Sequence, residues 1–175
     1  MDINNFFTFS SSLYQAPICV KGKGHDWDSY CRILQGDLTS VDLPVEFKQV
    51  SGKKWMDILD CSVSMYIVST RFIELLEQHD ITGWKTYPIT LSDKTGVQVN
   101  GYTGFSVVGR CAPADYSKCE TYEGRTVPTG SWNKYYKGLY VGLDEWDGSD
   151  FFIPEHTIEL IITKKAKHRE ECYDQ

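Results

Sequence analysis

The stretch Leu143-Asp-Glu-Trp-Asp-Gly-Ser-Asp150 sets four carboxylates, Asp144, Glu145, Asp147 and Asp150, within seven residues around one glycine. Oxygen donors at that density invite Ca²⁺, a hard cation held by carboxylates and carbonyls. An EF-hand loop needs ligands at its first, third and fifth positions, glycine at the sixth and glutamate at the twelfth. Counting from Asp144 makes Trp146 third and Ser149 sixth, so the register fails. A looser cation site stays open beside the favoured reading, an Asx-type turn using Asp147 and Gly148 between two strands. Paired carboxylates also serve as general acid and base, but that work needs two groups facing each other across a cleft, which neighbouring positions of one loop do not supply. Neither G-x-S-x-G nor a family-type cysteine signature is present, and Gly22-Lys-Gly24 and Gly101-Tyr-Thr-Gly104 are turn-like glycine pairs without the spacing of a phosphate loop. The expectation is a protein with no catalytic, cofactor-binding or metal-binding residues.

Aromatic side chains offer a different chemistry. Trp132, Tyr135, Tyr136, Tyr140 and Trp146 crowd one region, and Trp and Tyr dominate both protein-interface hot spots and sugar-stacking platforms. Core packing behind a loop is the alternative for each of them, least so for Trp146, whose acidic neighbours place it at the surface. The basic run Lys164, Lys165, Lys167, His168 and Arg169 could touch phosphate, yet on a terminal helix it reads better as a solvated face. The six cysteines contain no C-x-x-C, and no histidine pairs with them at zinc-ligand spacing. Buried or idle thiols are expected.

Elements must position these groups. Met65-Tyr-Ile-Val68 is β-prone and Ser69 is a good N-cap. Phe72, Ile73, Leu75, Leu76 and His79 then form one apolar stripe, with His79 at the C-terminal dipole and Gly83 ending the element. Ile158–Ile162 followed by Thr163 repeats that grammar ahead of a second helix. Strands are predicted at 84–91, 97–100, 104–109 and 138–143, joined at 92–96 by a turn that fits an antiparallel hairpin. Pro88 cannot donate to a ladder, which places its strand at an edge or a bulge. Residues 111–137, rich in Gly, Pro and polar side chains, read as a long excursion with little regular structure. Before residue 61 short strands and loops are expected, the cleanest being Val45–Val50, with a short helix at 55–61.

At 175 residues, 41% hydrophobic and 24% charged, the chain fits one globular domain, 1–175, with an irregular region over 1–60 and a core over 61–172. The predicted class is α+β, an antiparallel or mixed sheet with two main helices. A net charge of −6 argues against nucleic acid and anionic membrane as partners, since both need clustered Lys and Arg. No apolar run spans a bilayer and the N-terminus does not read as a secretory signal, so a cytoplasmic location is expected.

Three stretches together resemble the immunity proteins of bacterial polymorphic toxin systems. They are Met65-Tyr-Ile-Val-Ser-Thr with Ile-Thr-Gly-Trp84-Lys-Thr-Tyr-Pro, then Gly101-Tyr-Thr-Gly-Phe-Ser-Val-Val-Gly-Arg-Cys111, then Gly138-Leu-Tyr-Val with Trp146-Asp-Gly-Ser-Asp-Phe-Phe152 and Ile-Ile-Thr163. The likeness covers roughly 60–170 and is strongest at Trp146–Phe151. It implies a small cytoplasmic protein without catalytic activity that binds a cognate toxin domain and blocks its active site. Asp144, Glu145, Trp146, Asp147 and Asp150, with the 111–137 segment, are the expected contact surface, the acids steering a basic partner such as a nuclease. A carbohydrate- or small-ligand-binding module and a hydrolase are the competing readings.

Overall fold

The computed structural model describes residues 6–9, 17–24, 26–39, 41–61, 65–125, 130–137, 140–142 and 145–170. In chain order these form β1 (Phe6–Thr8), β2 (Cys19–Gly22), α1 (Trp27–Leu34), β3 (Val45–Ser51), β4 (Ile58–Cys61), β5 (Tyr66–Ser69), α2 (Thr70–Gln78), β6 (Trp84–Tyr87), β7 (Ile89–Ser92), β8 (Tyr102–Val107), β9 (Gly109–Cys111), β10 (Glu120–Gly124), β11 (Asn133–Lys137), β12 (Phe151–Pro154), β13 (Ile161–Thr163) and α3 (Lys164–Glu170), with a 3₁₀ turn at Tyr116–Lys118. The fold is mixed α and β, rich in sheet and sparing in helix. Two main helices were expected, and three are found among the described residues.

The junction at Ser69 forms as its residue types dictate. The chain leaves β5 extended at Ser69, whose hydroxyl accepts from the Phe72 amide, and α2 then buries Phe72 and Leu76 and ends at His79. The same hydroxyl donates to the Asp57 carboxylate, which also takes the Arg71 guanidinium, so the cap is tied to the segment that enters β4. Thr163 plays the equivalent part before α3, accepting from the Ala166 amide at 3.4 Å. α1 was not foreseen: Asp26 caps it, accepting from the Ser29 amide, and Tyr30, Ile33 and Leu34 face inward. The expected helix at 55–61 is instead the loop into β4, and β4 itself.

Seven strands make one mixed sheet in the order β6-β8-β5-β4-β2-β3-β7. Pro88 splits the predicted strand 84–91 into β6 and β7, and these two lie at opposite edges. Because a single residue separates them in the chain, the sheet has to curl until its edges meet at that proline. The Pro88 carbonyl accepts from the Val45 amide of β3 at 3.1 Å, and the Thr103 hydroxyl of β8 donates to the Tyr87 carbonyl, stitching the corner to both sides. Ile18, Val20, Val45, Phe47, Leu59, Ile67, Tyr87 and Leu91 pack together on one face with Tyr30 and Ile33 of α1. Gly104 of β8 is required there, since a Cβ would come within 2.1 Å of the Tyr87 ring.

The opposite face of β5 and β8 carries Val68, Phe105 and Val107, which meet α2 and a second, four-stranded sheet, β1-β13-β12-β9. Phe105 contacts the rings of Phe72, Phe151 and Trp84 at 5.3–6.0 Å. β8 passes into β9 through Val108 alone, so one length of chain belongs to both sheets. Residues 1–60, expected to be irregular, contribute α1 and three strands of the large sheet, because β2 and β3 gain their ladders only from partners far along the chain. The 97–100 strand reduces to a bridge between Gln98 and Ser92.

Candidate functional site

The acidic loop divides its side chains by task. Asp147 accepts from the Ser149 amide (3.0 Å) and hydroxyl with one oxygen and from the Arg110 amide of β9 (3.0 Å) with the other, while its own amide donates to the Arg110 carbonyl. Gly148 takes φ +83°, a left-handed conformation that glycine adopts freely. The Asx-type turn is thus the one built. Partial burial pulls the Asp147 pKa upward, but bonds from Ser149 and Arg110 outweigh it and hold the carboxyl below its ordinary value. Trp146 is half-buried: its indole N–H donates to the Ser149 carbonyl at 3.1 Å and its ring meets Phe6 edge-on at 5.4 Å and Phe152 at 5.7 Å.

Asp150 points the other way and is only 7% exposed. Its carboxylate accepts from the Thr82 amide (3.1 Å) and hydroxyl, the Thr163 hydroxyl (2.7 Å) and the Lys165 ammonium (3.1 Å). Of the five expected contact residues, then, Glu145 and Asp147 share the exposed rim of the loop, Trp146 is part of a hydrophobic cluster, Asp150 is a structural hub, and Asp144 lies outside the described residues. The basic run is committed in part, because Lys165 also donates to the Asp80 carbonyl and Lys167 sits 4.0 Å over the Phe7 ring.

The 111–137 segment, expected to lack regular structure, holds an antiparallel hairpin of β10 and β11 with Tyr122 opposite Tyr135, Thr121 opposite Tyr136 and Glu123 opposite Lys134. Its side chains lie almost entirely in solvent on both faces, so the hairpin projects from the body as an arm. Tyr122 stacks on Tyr135 at 5.5 Å, Tyr136 leans on Tyr116 at 4.8 Å, and the Arg125 guanidinium covers the Trp132 ring at 4.7 Å. Trp132 is nevertheless 61% exposed. At the base, Asp115 accepts from the Ser117 amide and hydroxyl and pairs with Lys118, whose ammonium lies 4.6 Å from the Tyr140 ring. The Asp115 amide donates to the Tyr140 carbonyl, and Ala114 bridges Val141. Arm and acidic loop therefore both spring from the β9 edge of the small sheet.

Sequence reasoning found Trp132, Tyr135, Tyr136 and Tyr140 but not Tyr116 or Tyr122. The register that sets Tyr122 against Tyr135 was the missing signal, and it was masked by the glycines and proline between the strands. Chemically, this surface offers stacking faces and paired charges, the components of binding. Cys111, beneath it, is a poor nucleophile at neutral pH: burial first, then Asp147 and Glu155, push its thiol up to about 11. No protein-family model and no curated protein matches the chain.

Proposed function

We propose that this chain is a non-catalytic binding protein of the immunity kind, which docks on a cognate bacterial toxin domain and covers its active site. The observation that carries the reading is the projecting hairpin with the 3₁₀ turn at its base, where Tyr116, Tyr122, Trp132 and Tyr136 stay exposed although each is large enough to drive burial elsewhere. Rigid aromatic side chains with few torsions lose little entropy on docking, which is why they concentrate in interface hot spots. Glu145 and Asp147, exposed beside the base of the arm, add a negative rim that steers a basic partner. Asp150 we assign to holding the fold. No helix among the described residues is long and apolar enough to cross a membrane, and a cytoplasmic location belongs to the same proposal.

The test is titration of the purified chain into the toxin domain encoded beside it, with toxin activity and calorimetry as readouts. Stoichiometric inhibition is expected, and Tyr136→Ala should weaken binding by about tenfold or more, the loss typical of a hot-spot tyrosine. Full toxin activity in the presence of excess chain would remove the reading. The Trp132 face that Arg125 does not cover also suits sugar stacking, and a glycan array that gave saturable, Trp132-dependent binding would move the assignment to carbohydrate recognition.

A further inference from the structure

A second surface lies where α1, from Trp27 to its C-cap Gln35, faces the turn between β12 and β13. It is an open groove of about 400 Å³ lined by Trp27, Gln35, Tyr116, His156, Thr157 and Glu159. That volume falls within the range of ligand pockets, about 300–1,000 Å³, and leaves room for one long side chain. We propose that this groove receives a single basic side chain, arginine or lysine, presented by the partner protein; the inference rests on the protein-binding role above and gives that role its chemistry.

Two aromatic walls and one carboxylate carry the argument. Trp27 is 51% exposed at the first position of α1, and Tyr116 is exposed across from it. Both rings offer negative faces, which attract a cation that is lifted partly out of water. The Glu159 carboxylate has no hydrogen-bond or ion-pair partner among the described residues, and its field reaches Tyr116, whose hydroxyl is pushed up first by burial and then by Glu159. Two lining residues also have acidic neighbours in the chain: Asp28 follows Trp27, and Glu155 precedes His156. The cations nearby are occupied elsewhere. Lys118 pairs with Asp115, and the charge of Arg32 acts on Asp26 and Asp37. His156 is the one lining group that would oppose a cation, and only when protonated.

The groove is built to hold its shape. Gln35 donates to the Thr157 carbonyl at 3.2 Å, joining α1 to the turn, and its own carbonyl takes the Arg110 guanidinium at 2.6 Å. Thr157 closes the turn through its amide and hydroxyl, both donated to the Pro154 carbonyl, and His156 sits in the left-handed region at φ 60°. Tyr116 also leans on Tyr136, so the groove opens directly beside the hairpin. A partner lying on the arm would have the groove within reach of a neighbouring side chain.

The experiment uses a small probe in place of the partner. N-acetyl-arginine methylamide is titrated into the full-length ¹⁵N-labelled chain, and the Trp27 indole and Gln35 side-chain amide resonances are followed, with Trp27→Phe supplying the indole assignment. Saturable shifts at both groups are expected, with the neutral N-acetyl-glutamine methylamide binding more weakly. Glu159→Gln should leave the melting temperature unchanged and weaken the arginine probe by about threefold to tenfold, the size of one partly exposed charge and ring contact. Absence of saturation at the solubility limit, or equal binding of the glutamine analogue or a neutral disaccharide, would overturn the proposal. Because no toxin enters this assay, arginine binding without toxin inhibition sinks only the immunity reading. Toxin inhibition without arginine binding sinks only the groove.

Discussion

One residue pattern recurs at four turns. Asp37-Leu-Thr39, Asp93-Lys-Thr95, Asp115-Tyr-Ser117 and Asp147-Gly-Ser149 each have an aspartate that accepts both the amide and the hydroxyl of the residue two positions on. In the first three the hydroxyl bond is the leading reason the carboxyl is held below its ordinary value, and Asp26 at the α1 cap is lowered the same way by Ser29. A carboxyl whose pKa is lower folded than unfolded stabilises the fold above the unfolded value, near 3.8, and that contribution disappears as pH falls through the folded one. The melting temperature should therefore hold between neutral pH and about pH 5 and drop below pH 4, with a shallower drop in Asp93→Asn. Asp150 makes a stronger demand, because its removal takes the acceptor from the part-buried Thr82 amide and Thr163 hydroxyl and the ion-pair partner from Lys165. Urea unfolding of Asp150→Ala should show a loss of about 2–4 kcal/mol, with Asp150→Asn intermediate.

At the level of elements, what was legible in sequence was whatever depends on a few adjacent residues. β5, Ser69 and α2 are one such unit, since strand propensity, a capping hydroxyl and a helical stripe all act within fifteen positions. Pro88 announced an edge for the same reason. α1 escaped because it is eight residues long and lies among glycines, so its stripe of Tyr30, Ile33 and Leu34 is too brief to stand out. β10 and β11 escaped because they bury almost nothing, which leaves no alternation of apolar and polar residues to read. Within the candidate site the Asp147 turn was legible, whereas the inward course of Asp150 was not, for it depends on Thr82 and Thr163 arriving from distant elements. An arm that buries so little should be dispensable for folding. Replacing residues 120–137 with a short Gly-Ser linker should leave far-ultraviolet circular dichroism and the melting temperature nearly unchanged while abolishing partner binding.

Across the whole molecule the controlling feature is closure. β6 and β7 occupy opposite edges of seven strands and yet meet at Pro88, and β8 runs on through Val108 into the second sheet, so the aromatic core around Phe105 is enclosed by both. Amides in the β5–β8 ladder, such as Phe105, should accordingly exchange with solvent at the rate of global unfolding, and those of Tyr122 and Glu123 far faster, a contrast that hydrogen–deuterium exchange would report. The amino-acid sequence by itself determined the acidic charge, the capped strand-to-helix junctions and the aspartate turns, because each arises from forces between near neighbours. The tertiary structure decided the curl of the sheet, the inward placement of Asp150, and the exposure of the hairpin tyrosines beside the Trp27 groove. These depend on which distant strands pair and in what register, a choice made by packing free energy summed over the entire chain.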